Sequence, residues 1–210
     1  MESYINDTPV ATIIFIFTIV SSIYAFSNAE VYGKFMLHPY SVSRGRRLYS
    51  MITSGLIHKD WPHLLVNMLS YYFFAFTLEK TFVSLSSWGH FQFGLLYIVS
   101  IILSDITSIF KHKEHFWFNS LGASGAVCAV VFSYILFYPM NKMMIFPIPI
   151  PIPAVLYGFL FLGYCVYASR NSRDAINHDA HFYGALTGVL FTIIYYPDIA
   201  GYFVNQLTGG

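Results

Sequence analysis

The chain has 210 residues, of which 56% are hydrophobic, 20% aromatic and only 10% charged. Soluble domains carry about a quarter of their residues charged, so this composition excludes one and points to a protein that crosses a membrane several times. A net charge of +1 with no basic stripe excludes a nucleic-acid partner.

A hydrocarbon core of about 30 Å asks for roughly 20 apolar residues per helix, and that length organises the chain. Residues Met1 to Asp7 are polar and lack a basic leader, so the first apolar run is expected to be a retained helix rather than a signal peptide. That helix is predicted over 8–26, with Pro9 in its first turn, where a missing N–H costs nothing. The segment Ser27 to Asp60 holds Lys34, Arg44, Arg46, Arg47 and Lys59 among aromatics and is too long for a turn, which implies structure of its own.

Further helices are predicted over 61–78, closed by Glu79 and Lys80, and over 88–110, with Asp105 near the end. A polar knot then leads into a helix over 122–139 that Pro139 stops. Pro147, Pro149, Pro151 and Pro153 each remove a donor and restrict the preceding residue, so they imply an extended lead into a helix over 154–168. A polar turn from Ser169 to Asp179 precedes the last helix, 180–196, which ends before Pro197. The expected fold is therefore an all-α membrane protein: one domain over 1–210, six spans and a long, partly structured first loop.

Consecutive spans alternate in direction, so the second, fourth and sixth start on one side of the membrane. Each carries unusual polar groups near its start: His63 and Asn67, then Ser124, then His181. Asn67 lies one turn below His63 on the same face. Unsatisfied polar groups are costly in a bilayer and gather in protein interiors or wet cavities. Gly184 and Gly188, spaced Gly-x-x-x-Gly, permit close helix approach and with Gly125 could bring His181 within reach of Ser124. Ser124 is then a candidate nucleophile and His181 its general base. His63, Asn67 and the Ser124 backbone N–H are candidate oxyanion donors. No carboxylate stands out as an orienter, so a dyad is expected.

The run Gly122-Ala123-Ser124-Gly125 opening a helix, Ala180-His181 followed by Gly184 and Gly188, and His63 with Asn67 ahead of Glu79 resemble a rhomboid intramembrane serine protease. The stretch Ile52 to His58 resembles the family's approach to the second span, and the likeness covers roughly Arg47 to Gly188. The resemblance implies six helices around a water-accessible cleft, with Ser124 as nucleophile, His181 as base and His63 and Asn67 as oxyanion donors. It implies cleavage of a peptide bond in or beside a transmembrane segment of a protein substrate, in the lipid bilayer and without a cofactor. A multi-pass location, in a bacterial cytoplasmic membrane, goes with it. The chain departs from the family at Cys128, where a Tyr usually packs on the base, and at Tyr49-Ser50, where the family has Trp-Arg.

Two other readings stand beside this one. A catalytically silent rhomboid-like protein would bind transmembrane segments without cutting them, and a small transporter would need only polar groups at depth. Lys34, Arg44, Arg46, Arg47, Lys59, Lys111, Lys113, Arg170 and Arg173 fall in the first, third and fifth loops, leaving Lys80 and Lys142 for the others. The positive-inside rule would put the odd loops in the cytoplasm, opposite to the rhomboid habit. His58 is expected to anchor a loop, and Cys128 and Cys165 to fill packing space. No His-x-x-x-His or His-x-x-Glu-His zinc spacing occurs, so no metal is expected. Oligomeric state has no signature in the sequence.

Overall fold

Proline-punctuated apolar runs fold into helices in the computed structural model, which describes residues 6–145, 148–172 and 176–209. The main helices are α1 (Pro9–Ser27), α2 (Trp61–Leu85), α3 (Gly89–His112), α4 (Ser124–Phe137), α5 (Ala154–Asn171), α6 (His178–Tyr195) and α7 (Ile199–Thr208). The start of the N-terminal segment (1–5), Pro147, and residues 173–175 of the expected polar turn lie outside the described residues.

α2 runs past its expected end at Leu78, and the reason is what Glu79 meets. Its carboxylate is fully buried and accepts hydrogen bonds from the Val10 N–H at 3.2 Å and the Ala11 N–H at 2.7 Å. Those are first-turn donors of α1, which have no partner within their own helix. His90 Nδ1 lies 2.6 Å from the same carboxylate. Glu79 thus caps α1 instead of closing α2. Replacing it by Ala leaves two buried N–H groups without an acceptor, so thermal unfolding in detergent should show a loss of about 2 kcal/mol; an unchanged Tm would contradict the capping role.

α4 is the central helix: Gly125 through Ser133 are all buried, the pattern of a helix enclosed on every side. It runs beside α6 in a fixed four-residue register. A Cβ on Gly184 would overlap the Gly125 carbonyl, and one on Gly188 would overlap the Ala129 carbonyl. One turn further on, Ser133 Oγ and Thr192 Oγ1 hydrogen-bond at 2.6 Å. Small residues let the two backbones touch, and the hydroxyl pair closes the seam.

The first loop is built from short helical pieces, Ala29–Phe35, Pro39–Val42 and Ser50–Thr53, followed by a 3-10 turn, Ser54–Leu56. Leu37 bridges to Ser120 in the loop before α4. Arg47 adopts φ 54° and its guanidinium donates to the carbonyls of Gly33, Lys34 and Met36. Arg44 ion-pairs with Glu114 at 2.9 Å. From Ile148 to Pro153 the proline ladder is an extended strand, β2, and it pairs antiparallel with Lys142–Ile145, β1, a partner that the prolines did not announce. α7 follows α6 after a 109° bend.

The exterior is apolar. Phe17 and Val20 on α1, Leu65 and Phe73 on α2, Phe159 on α5 and Ile194 on α6 are all exposed, the inverse of a soluble surface. By length and composition α1 and α3 each suffice to cross a membrane, and α6 with α7 form a bent apolar pair. α2 carries Glu79 and Lys80 inside its length, and α4 has only 14 residues.

Candidate active site

One cavity of about 890 Å³ opens between the N-terminal ends of α2, α4 and α6. His63, Asn67, Ser124 and His181 all line it, as do Gly122, Gly125 and Cys128. Ser124 is the first residue of α4, so the unpartnered N–H groups of a helix start lie beside its hydroxyl. It is half-buried, as is His181 one turn into α6. The Ala180 carbonyl sits 3.5 Å from the position a Gly125 Cβ would take, which sets the start of α6 against the start of α4.

His63 is placed by the cap of α2: Asp60 accepts from the His63 N–H at 2.8 Å. Its ring packs on Gly122, where a Cβ would come within 3.0 Å of Nε2. Gly122 has φ +126°, so glycine is required there on both counts. His63 Nδ1 accepts from the Lys59 N–H at 3.4 Å, a role that assigns the ring proton to Nε2, the nitrogen nearer Gly122. Asn67 donates one amide hydrogen to the His63 carbonyl at 2.9 Å and keeps a second.

His58 is fully buried beneath this layer. Its Nδ1 lies 2.9 Å from Ser22 Oγ on α1, and its Nε2 faces the N–H of Ala123, the residue before Ser124, at 3.5 Å. The expected loop anchor is therefore a link from α1 to the start of α4. Desolvation, with repulsion from His63 adding to it and Asp60 opposing it, pushes His58 from its ordinary 6.5 down to about 3. The unfolded chain takes up this proton first, so the stability due to neutral His58 is complete above about pH 6.5 and is lost as pH falls toward 3. Between pH 7 and pH 5 unfolding should become easier by about 2 kcal/mol, and His58→Gln should flatten that slope; an equal slope in both proteins would contradict it.

His181 has a ring neighbour from another helix. Phe161 of α5 stacks beside it, with centroids 6.2 Å apart and planes at 24°. Cys128, where a stacking tyrosine is expected, is buried in the cavity wall. Asp179 is engaged elsewhere, in an ion pair with Lys111 at 2.9 Å. Asp105 also lines the cavity and accepts from Ser54 Oγ at 3.4 Å. Phe161 gave no sequence signal. Neither did Cys165, whose Sγ lies within 4.8 Å of ligand nitrogens of both His178 and His181.

Polar groups gathered around a cavity at one end of an apolar helical bundle mark a membrane protein with a polar site inside it. The particular family follows from comparison: residues 45–198 match the rhomboid domain, and the chain belongs to that family. It is 27% identical over 171 residues to RHOMBOID-like protein 12, mitochondrial, of Arabidopsis thaliana, covering 75% of this chain and 50% of the relative. It is also 27% identical over 145 residues to Rhomboid protein 1, mitochondrial, of Saccharomyces cerevisiae, covering 68% of this chain and 40% of the relative. The chain thus spans half or less of the length of these relatives.

Proposed function

We propose that this protein is an intramembrane serine protease that hydrolyses a peptide bond in or next to a transmembrane segment of a membrane protein. The observation that carries the reading is that Ser124, His181, His63 and Asn67, from three helices, line one cavity. Ser124 attacks the carbonyl carbon while His181 takes the hydroxyl proton and returns it to the leaving amine. The tetrahedral oxyanion is met by the Ser124 backbone N–H, the His63 Nε2–H and the second Asn67 amide hydrogen. Water entering the cavity then hydrolyses the acyl-enzyme.

In this reading the chain is one domain with six spans, α1, α2, α3, α5 and α6 being five of them and α4 with the segment leading into it the other. With 14 residues α4 is about 21 Å long, shorter than a hydrocarbon core of about 30 Å. A helix that reaches one face therefore starts below the other, which puts Ser124 at bilayer depth. The substrates are membrane proteins, as in the family generally. A bacterial cytoplasmic membrane competes with the mitochondrial setting in both relatives' names, and localising a tagged chain in its host decides between them.

The reading is tested in proteoliposomes holding the protein with a set of single-span proteins. New termini within or beside the hydrophobic segment are the expected result. Cleavage confined to soluble regions, or none with folded protein, would overturn it.

A further inference from the structure

Beside the cavity lies a second constellation, which shares only His181 with the proposed hydrolysis. Cys165 on α5 and His178 and His181 on α6 bring one ligand atom each to within 4.8 Å of one another. His178 and His181 are three residues apart on one helix and so share a face. Cys165 and His178 are buried, whereas His181 is half-buried and lines the cavity, which gives an ion an entry path. The start of α6 is held firmly: Asn177 accepts from the Ala180 N–H at 3.1 Å and donates to Ser108 Oγ at 2.7 Å. Tyr164 packs its edge against His178, with centroids 5.4 Å apart.

We propose that Cys165, His178 and His181 form a binding site for Zn²⁺ that, when filled, switches off the serine site by occupying its base; this regulatory part rests on the protease reading above. Thiolate and imidazole are the donor set that favours zinc over harder divalent ions. Zinc–sulfur and zinc–nitrogen bonds of about 2.3 and 2.0–2.1 Å hold their ligand atoms within such a span, so one ion can bridge all three. On binding, the Cys165 thiol releases its proton to water as the Zn–S bond forms, and a water fills the fourth position. A neutral imidazole that gives one nitrogen to a metal carries its proton on the other. His181 then has no lone pair for the Ser124 proton, whichever nitrogen it gives to zinc.

Direct binding is read with Co²⁺, which takes the same tetrahedral geometry and shows a thiolate charge-transfer band only when bonded to sulfur. One equivalent of Co²⁺ should give that band in the wild type and in Cys128→Ser, and Zn²⁺ should displace it. Cys165→Ser should abolish the band, and His178→Asn should weaken Co²⁺ binding by at least about tenfold. No band in the folded wild type, or a band that survives Cys165→Ser, would overturn the site. Saturating Zn²⁺ should lower labelling of Ser124 by a fluorophosphonate at least about tenfold, and Cys165→Ser should be labelled but resist zinc. Labelling unaffected by bound zinc would overturn the switch. A cobalt band in a protein whose serine never labels would uphold the metal site and count against the protease reading instead.

Discussion

Ser124→Ala and His181→Ala should each abolish cleavage of a transmembrane substrate, by roughly four to six orders of magnitude, while leaving the fold intact. Where a nucleophile and its base act as a unit, losing either costs nearly as much as losing both, so the double variant should be little worse than each single one. The fold should not notice Ser124→Ala, because Ser124 is half-buried beside an open cavity and the change removes only a hydroxyl. Initial rates in proteoliposomes, with thermal unfolding run in parallel, separate the two effects. Rates that multiply in the double variant would mean that the residues act independently.

Gly188→Ala, like Gly184→Ala, should be among the most damaging single methyls in the protein. Its Cβ would overlap the Ala129 carbonyl, and backbone cannot rotate out of the way as a side chain can. Overpacking in cores costs about 1–3 kcal/mol when side chains can adjust; here α4 and α6 must separate, so about 3 kcal/mol or more is expected. That separation would also pull His181 away from Ser124, because both helices carry site residues at their starts. Gly201→Ala is the matched control, with nothing within 4 Å of the added methyl. Thermal unfolding in detergent should drop sharply for Gly188→Ala and stay unchanged for Gly201→Ala. Equal midpoints would mean that the α4–α6 contact is looser than described.

The sequence shows the helices because bilayer length and proline placement act locally, so the start of α1 at Pro9 and that of α2 at Trp61 are close to expectation. It misses what depends on a partner. The extension of α2 past Leu78 needs the α1 donors that absorb Glu79, and no local pattern contains them. α6 begins two residues early, at His178, because Asn177 caps it; that cap was readable, and reading it would have put His178 on the face of His181. α7 was hidden behind Pro197, which stops one helix without forbidding another.

The polar residues of the candidate site stood out because a bilayer penalises each of them separately. What surrounds them did not. His58 lies beneath Ala123, Phe161 beside His181, and Cys165 next to the two histidines, all through tertiary packing between segments far apart in the chain. A cysteine or phenylalanine in an apolar run gives the same local signal whether it faces lipid, core or a catalytic base.

The central claim is an activated serine at the start of α4, and a fluorophosphonate probe tests it without any known substrate. Detergent-solubilised and lipid-reconstituted protein should become covalently labelled, with the modified peptide containing Ser124 and with no labelling of Ser124→Ala or His181→Ala. Folded wild-type protein that stays unlabelled in both detergent and lipid, or a label that maps to any other residue, would contradict it.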